Sequence, residues 1–291
     1  MSLLLGFPEY RTQAVALARA ASMAYAEVAV HRFPDGESRI RLPADLPHKL
    51  VLCRSLDHPN DKLVELILAS DQARAMGVKS LTLVAPYLCY MRQDCSFQAG
   101  EAVSQRIVGS LLARYFDGLV TVDPHLHRVR DIEQAVPTGQ SISLLAATAV
   151  GDFLARRLPG ALLVGPDAES AQWVEAAASR AGLEFVLGSK VRRGDREVEI
   201  QLQGDFAGRD VVLVDDMAST GHTLEVAADI IRRAGPASIS VVVTHALFAD
   251  DAYERLQRAG FEHIWSSDSI PHASNAISLA PLLAAQLSTT A

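Results

Sequence analysis

The chain has 291 residues, 49% of them apolar and 21% charged, with a formal net charge of −7. That composition fits a protein with a large buried core and excludes nucleic acid as the main partner, whose phosphates demand a basic footprint. It also excludes a membrane protein: the apolar-rich stretch 14–30 is interrupted by Arg19 and Glu27, and MSLLLGFPEY lacks the basic start and long apolar run of a secretion signal. Cys53, Cys89 and Cys95 are odd in number and fit no zinc spacing, so a reduced, cytoplasmic protein is expected.

In chain order, LVLC (50–53) is the first clear strand. A helix over 61–76 follows, with Leu63, Leu66, Ile67, Ser70 and Ala73 on one face and Gly77 as its stop. SLTLVA (80–85) is a strand, 103–116 a helix, and GLVTVD (118–123) a strand. The pattern then restarts with a helix over 141–157, the strand ALLVG (161–165), a helix over 168–181 and the strand EFVLG (184–188). SKVRRGDREVEI (189–200) reads on its own as a hairpin with a solvated basic turn. VVLV (211–214) is a strand, and the helix over 222–234 puts Leu224, Ala227, Ile231 and Ala234 on one stripe before Gly235-Pro236. SISVVVTHALF (238–248), a helix over 250–259 and EHIWSS (262–267) complete the series. Strands alternating with helices imply α/β architecture with largely parallel sheets. The restart implies two domains, 1–143 and 144–291, with the C-terminal tail packing back on the first.

Ligands of such sheets bind beyond the carboxyl ends of the strands. Those segments are polar here: PYLCYMRQD, DPHLH, GPDAES and DDMASTGHT. The last combines a helix N-terminus, whose backbone N–H groups attract anions, with the hydroxyls of Ser219, Thr220 and Thr223. Gly221 lets the backbone approach an anion closely. Asp215 and Asp216 can accept hydrogen bonds from vicinal hydroxyls, or else merely cap the next helix. A phosphate cradle beside a diol acceptor describes a ribose 5-phosphate. Elsewhere, Phe33, Asp35 and Glu37 in HRFPDGESRIRL form a turn that also offers a stacking face and two acceptors for an adenine amino group. Arg92, Gln93 and Asp94 follow a buried strand, as do His125, near Asp123, and Asp167.

The string VVLVDDMASTGHT resembles the phosphoribosyl-diphosphate-binding motif of the type I phosphoribosyltransferase superfamily. Where that motif commonly has glycine this chain has His222. The motif alone allows an enzyme that consumes phosphoribosyl diphosphate or one that makes it. FPDGE, RQD, DPH and GPD, with THALF (244–248), RAGFEHI (258–264) and SDSIP (267–271), together resemble the ribose-phosphate diphosphokinase family from about residue 5 to about 272.

That resemblance implies two tandem phosphoribosyltransferase-type domains and transfer of the diphosphoryl group of ATP to the C1 hydroxyl of ribose 5-phosphate. It implies that Phe33, Asp35 and Glu37 contact adenine from a loop reaching into a neighbouring subunit, so a homo-oligomer, dimer or higher, is expected. Arg92, Gln93 and Asp94 match the ATP-binding segment. His125 and Asp167 match Mg²⁺-associated positions, and Lys190 and Arg192 the catalytic loop. Asp167, Asp215, Asp216 and Ser219, Thr220, Gly221, His222 and Thr223 match the ribose 5-phosphate site. CSFQAGEAVS (95–104) lacks the basic residues of the common bacterial pattern, and its GEAVS part is similar to the archaeal-type branch. Phosphate activation and ADP inhibition, which depend on those basic residues, are therefore not implied. The rivals are a phosphoribosyltransferase, which needs a base-binding hood instead of the ATP-side motifs, and a catalytically silent regulatory homologue, against which the presence of Lys190, Arg192, His125 and Asp167 argues.

Overall fold

The structure is a computed structural model that describes residues 2–126, 128–129, 131–193 and 197–290, with side chains at 190–200 and 288–290 left out of the description. The chain falls into two compact units: residues 1–144 with 279–291, and residues 145–278.

Unit 1 opens with β1 (Leu3–Gly6), a short 3₁₀ turn, α1 (Arg11–Ala20) and β2 (Ala24–Glu27). The ribbon β3 (Ala29–Arg32) and β4 (Ser38–Arg41) follows, then β5 (Lys49–Cys53), α2 (Pro59–Ala75), β6 (Ser80–Ala85) and α3 (Ser104–Tyr115). β7 (Gly118–Val122), the single turn α4 (Ile132–Ala135) and β8 (Ser141–Leu144) close the series. Six strands pair in parallel in the order β2-β1-β5-β6-β7-β8. The β3–β4 ribbon is antiparallel and inserted between the second and third strands of that sheet.

Unit 2 runs α5 (Ala147–Arg157), β9 (Leu162–Gly165), α6 (Ala171–Ala181), β10 (Glu184–Leu187), the ribbon β11 (Ser189–Arg193) and β12 (Glu197–Gln201), and β13 (Asp210–Ala218). It continues with α7 (His222–Arg232), β14 (Ser238–Ala246), α8 (Ala252–Arg258), β15 (Ile264–Ser267) and β16 (Asn275–Ile277). The last helix, α9 (Ala280–Thr290), packs on α1 in unit 1. The order β10-β9-β13-β14-β15-β16 is again all parallel, and the β11–β12 ribbon is again inserted between the second and third strands.

Parallel strands are covered on both faces, so their sequences run apolar without alternation. β13 shows it: Val211 and Leu213 pack with Leu224 and Ile231 of α7, while Val212 and Val214 pack with Leu154 of α5 and Val174 of α6. Several expected boundaries shift. The helix expected over 141–157 begins only at Ala147, because SISL pairs with β7 as the edge strand β8; sheet pairing overrides local helical pattern. α7 ends at Arg232 and leaves Ala234 exposed. β13 does not stop at Val214; Asp215, Asp216 and Met217 continue it to Ala218. Among the described residues no helix is long and apolar enough to cross a membrane.

Candidate functional site

In each sheet the strand order reverses between the first and third strands, where a crevice opens beyond their carboxyl ends. In unit 2 those strands are β9 and β13. β9 delivers Asp167, whose Oδ1 accepts from the Glu169 and Ser170 N–H groups at 3.0 and 3.2 Å and so fixes the turn that leads into α6. β13 delivers Asp215, half-buried, and Asp216, only 3% exposed. The Asp215 carboxylate accepts from the Asp216 N–H at 2.9 Å. Burial, with the Asp216 and Asp167 charges next to it, raises the Asp215 pKa well above the ordinary carboxylate range.

β13 then turns through Ser219 and Thr220 into α7. Gly221 caps that helix at φ +73°, a left-handed conformation that glycine adopts without strain. His222, where the family motif commonly has glycine, is the first residue of α7 and its side chain is exposed. The motif glycine is therefore not needed at that backbone position.

Unit 1 carries its candidates on the tip of the β3–β4 ribbon and on the loops after β6 and β7. The β3–β4 ribbon turns through Phe33–Glu37, with the Phe33 N–H donating to the Glu37 carbonyl at 2.8 Å and Gly36 at φ +93°. The Asp35 Oδ1 accepts from the Glu37 N–H at 3.1 Å, which sets the turn from within. Residues 31–37 are all exposed, and the Phe33 ring, 39% exposed, touches His31 edge-on at 4.8 Å between centroids. After β6, Arg92 is exposed and Gln93 half-buried, its carbonyl accepting from the Gln105 N–H at 3.2 Å. Asp94 faces inward: its carboxylate holds the Arg128 guanidinium and backbone N–H. That pair ties the RQD loop to the DPH loop after β7, where Asp123 sits at φ +39° and His125 is half-buried.

His125 thus belongs to unit 1 and Asp167 to unit 2. The donor chemistry suits a hard cation such as Mg²⁺. It ordinarily takes one or two carboxylates and fills its shell with phosphate oxygens and water, and the charge that Asp215 shares with its two neighbours is one a cation would offset. Among the described residues no three His, Cys, Asp or Glu side chains form a closed metal cage. Lys190 and Arg192 lie on β11, opposite Ile200 and Val198, and their side chains lie outside the described residues.

Sequence reasoning missed a buried cluster in unit 1. Arg54, 1% exposed, follows β5 and pairs with Glu9 at 2.6 Å and Glu65 at 2.5 Å, with its guanidinium 3.9 Å over the Phe7 ring. Glu65 also accepts from Ser38 at 2.7 Å and Arg32 at 3.2 Å, so the cluster anchors both strands of the β3–β4 ribbon to α2. Burial pushes the Glu65 carboxyl up, but the Arg54, Ser38 and Arg32 contacts outweigh it and hold the group below the ordinary carboxylate range. The only sequence signal was an arginine directly after an apolar strand.

Comparison with known proteins matches two separate parts of the chain. The N-terminal domain model of ribose phosphate pyrophosphokinase matches residues 3–115, and the phosphoribosyl transferase domain model matches residues 143–280. The chain is 37% identical over 263 residues to the ribose-phosphate pyrophosphokinase of Methanopyrus kandleri, covering 89% of each chain. It is 33% identical over 258 residues to that of Thermococcus kodakarensis, covering 88% of this chain and 90% of the relative. It is 35% identical over 269 residues to ribose-phosphate pyrophosphokinase 2 of Archaeoglobus fulgidus, covering 92% and 93%. In fold it is similar to the crystal structure of the phosphoribosylpyrophosphate synthetase of Mycobacterium smegmatis, with a TM-score of 0.85, 24% identity and coverage of 100% and 99%.

Proposed function

Because the chain belongs to the ribose-phosphate pyrophosphokinase family, we propose how its own residues divide that family's reaction. The enzyme makes 5-phosphoribosyl 1-diphosphate from ATP and ribose 5-phosphate. The C1 hydroxyl oxygen attacks the β-phosphorus in line; the bond to the α-phosphate oxygen breaks, AMP leaves, and the hydroxyl proton is lost. Such chemistry asks the protein mainly for positioning and charge stabilisation.

The observation that carries the assignment is the β13–α7 turn at the switch point of unit 2, with Asp215 and Asp216 on the strand leading into it. Its N–H groups and the Ser219, Thr220 and Thr223 hydroxyls hold the 5-phosphate, with Gly221 and His222 forming the helix start. Asp215 and Asp216 accept from the ribose hydroxyls, and Asp167 lines the same crevice. In the N-terminal domain, 1–143, the exposed Phe33 ring stacks on adenine while Asp35 and Glu37 accept from its amino group. Arg92 and Gln93 meet the triphosphate, and Asp94 fixes their loop through Arg128. Lys190 and Arg192, in the C-terminal domain, stabilise the charge that develops toward the AMP oxygen.

Mg²⁺, when bound, would neutralise the triphosphate charge, and we assign His125 and Asp167, each within its own unit, as side chains that would serve Mg²⁺. The Phe33 turn stands exposed on its ribbon, as a loop serving a neighbouring subunit would, and we assign the enzyme to a homo-oligomer of at least two chains. Cys53, Cys89 and Cys95 form no disulfide among the described residues, which suits the cytoplasm. The test is to mix protein, Mg²⁺, ATP and ribose 5-phosphate and identify the nucleotide released. AMP together with phosphoribosyl diphosphate is the expected outcome; ADP would mean transfer of a single phosphoryl group and overturn it.

A further inference from the structure

Three successive carbonyls of the phosphate loop are occupied from one side. The Phe248 N–H donates to the Ala218 carbonyl at 2.8 Å, and the Ala249 N–H to the Ser219 carbonyl at 2.9 Å. The Arg255 Nη2 donates to the Thr220 carbonyl. In a trans peptide the C=O of one residue and the N–H of the next point in opposite directions, and every peptide described here is trans. The N–H groups of Ser219, Thr220 and Gly221 therefore all point away from the 248–255 segment. Successive N–H groups aimed one way make an anion nest, and this nest is set from behind.

The segment behind it is built to be rigid. Arg255 Nε donates to Glu225 of α7 at 3.3 Å, and Nη1 donates to Asp251 at 2.6 Å. Together with the Thr220 contact, each guanidinium nitrogen has a fixed acceptor. Phe248 sits at φ +30°, which a bulky residue adopts only when its surroundings hold it there. Its ring packs against Tyr253 and His272 at 5.3 and 4.8 Å between centroids.

We propose that Arg255 is a positioning residue for ribose 5-phosphate, acting through the Thr220–Gly221 peptide without touching the substrate. This rests on reading 219–223 as the ribose 5-phosphate cradle. The guanidinium fixes the plane of that peptide, and by polarising its carbonyl it makes the Gly221 N–H a stronger donor. It also places a positive charge behind the bound phosphate. A point-charge ammonium could reach the carbonyl but not hold the planar, three-acceptor geometry.

Steady-state kinetics on the full-length enzyme separate the possibilities. Arg255→Ala should raise KM for ribose 5-phosphate about 10- to 100-fold, the range for losing a hydrogen bond to a charged group, with KM for ATP unchanged. Arg255→Lys should fall between it and wild type. Glu225→Gln, which loosens the guanidinium without removing it, should show the same split more weakly and serves if Arg255→Ala does not fold. An Arg255→Ala enzyme with a lower Tm but both KM values intact, or with both raised equally, would reduce Arg255 to a scaffold residue. Thr223→Val tests the underlying reading. If it raises KM for ribose 5-phosphate while Arg255→Ala does not, the positioning role alone fails; if neither moves it, the cradle assignment fails too.

Discussion

The two units share one topology and part company at one place. Each has a parallel sheet in the order second-first-third-fourth-fifth-sixth, and each inserts a two-stranded ribbon between its second and third strands. Each therefore opens a crevice beside the third strand. Gly6 ends the first strand of unit 1 and pairs with Cys53; Gly165 ends that of unit 2, one residue past the Val164–Leu213 pair. Counting from these glycines, Arg54 falls where Asp215 stands. Unit 1 closes its crevice with its own ions, Arg54 lying between Glu9, Glu65 and the Lys62 carbonyl. Unit 2 gathers carboxylates there beside a turn whose N–H groups face outward from their brace. Topology supplies the crevice in both; one charge inversion accompanies its use as ribbon anchor in one and, on our proposal, as ligand site in the other.

Breaking unit 1's side of this comparison should have the largest effect. Arg54→Ala leaves Glu65 buried without its main partner, and removing one member of a buried pair costs about 3–5 kcal/mol. Amide hydrogen exchange should show the loss first in β5 and α2; protection equal to wild type there would mean the cluster is incidental. Next comes Lys190→Ala, which should lower kcat about 10²- to 10³-fold with the fold intact, the usual cost of one contact made in the transition state. Turnover near the wild-type rate would remove Lys190 from the mechanism.

A smaller effect concerns acid. Glu65 has a folded pKa below its unfolded value. Its contribution is present above the unfolded carboxylate pKa, about 4.3, and is lost as pH falls through the lower folded value. Glu65→Gln should therefore reduce stability at neutral pH and flatten the acid limb of the unfolding curve below about pH 4. An unchanged limb would show that other carboxylates control it.

The inner strands were legible because Leu and Val runs buried on both faces have no other use, and the motif loops because each follows such a run. Of the four short edge strands only β10, the EFVLG run, was legible. AYAE, SISL and NAI are too brief to outweigh local pattern and become strands only through their neighbours, as SISL does against β7. β1, an inner strand, and α1 were exceptions: neither was read as an element, and only 14–30 was read as apolar-rich. Within the candidate site, residues adjacent in sequence could be read, such as Asp215 to Thr223. Groups that act from a distance could not: Arg255 reaches Thr220 across 35 positions and Arg32 reaches Glu65 across 33. A charged residue in a sequence looks like surface until its partner is known, and that is why Arg54 was passed over.

The central claim is that the two units divide the substrates, and one pair of variants tests it most directly. Phe33→Ala alters only the ribbon tip of unit 1, and Gly221→Ala strains only the turn of unit 2. KM for ATP and for ribose 5-phosphate should be measured for both. Phe33→Ala should raise KM for ATP about 3- to 10-fold, in keeping with the ~0.5–1.5 kcal/mol of one aromatic stacking contact, and leave ribose 5-phosphate alone. Gly221→Ala should raise KM for ribose 5-phosphate about 5- to 150-fold, as forcing a side chain into φ +73° costs ~1–3 kcal/mol, and leave ATP alone. Effects that cross, or that fall on both substrates alike, would contradict the division.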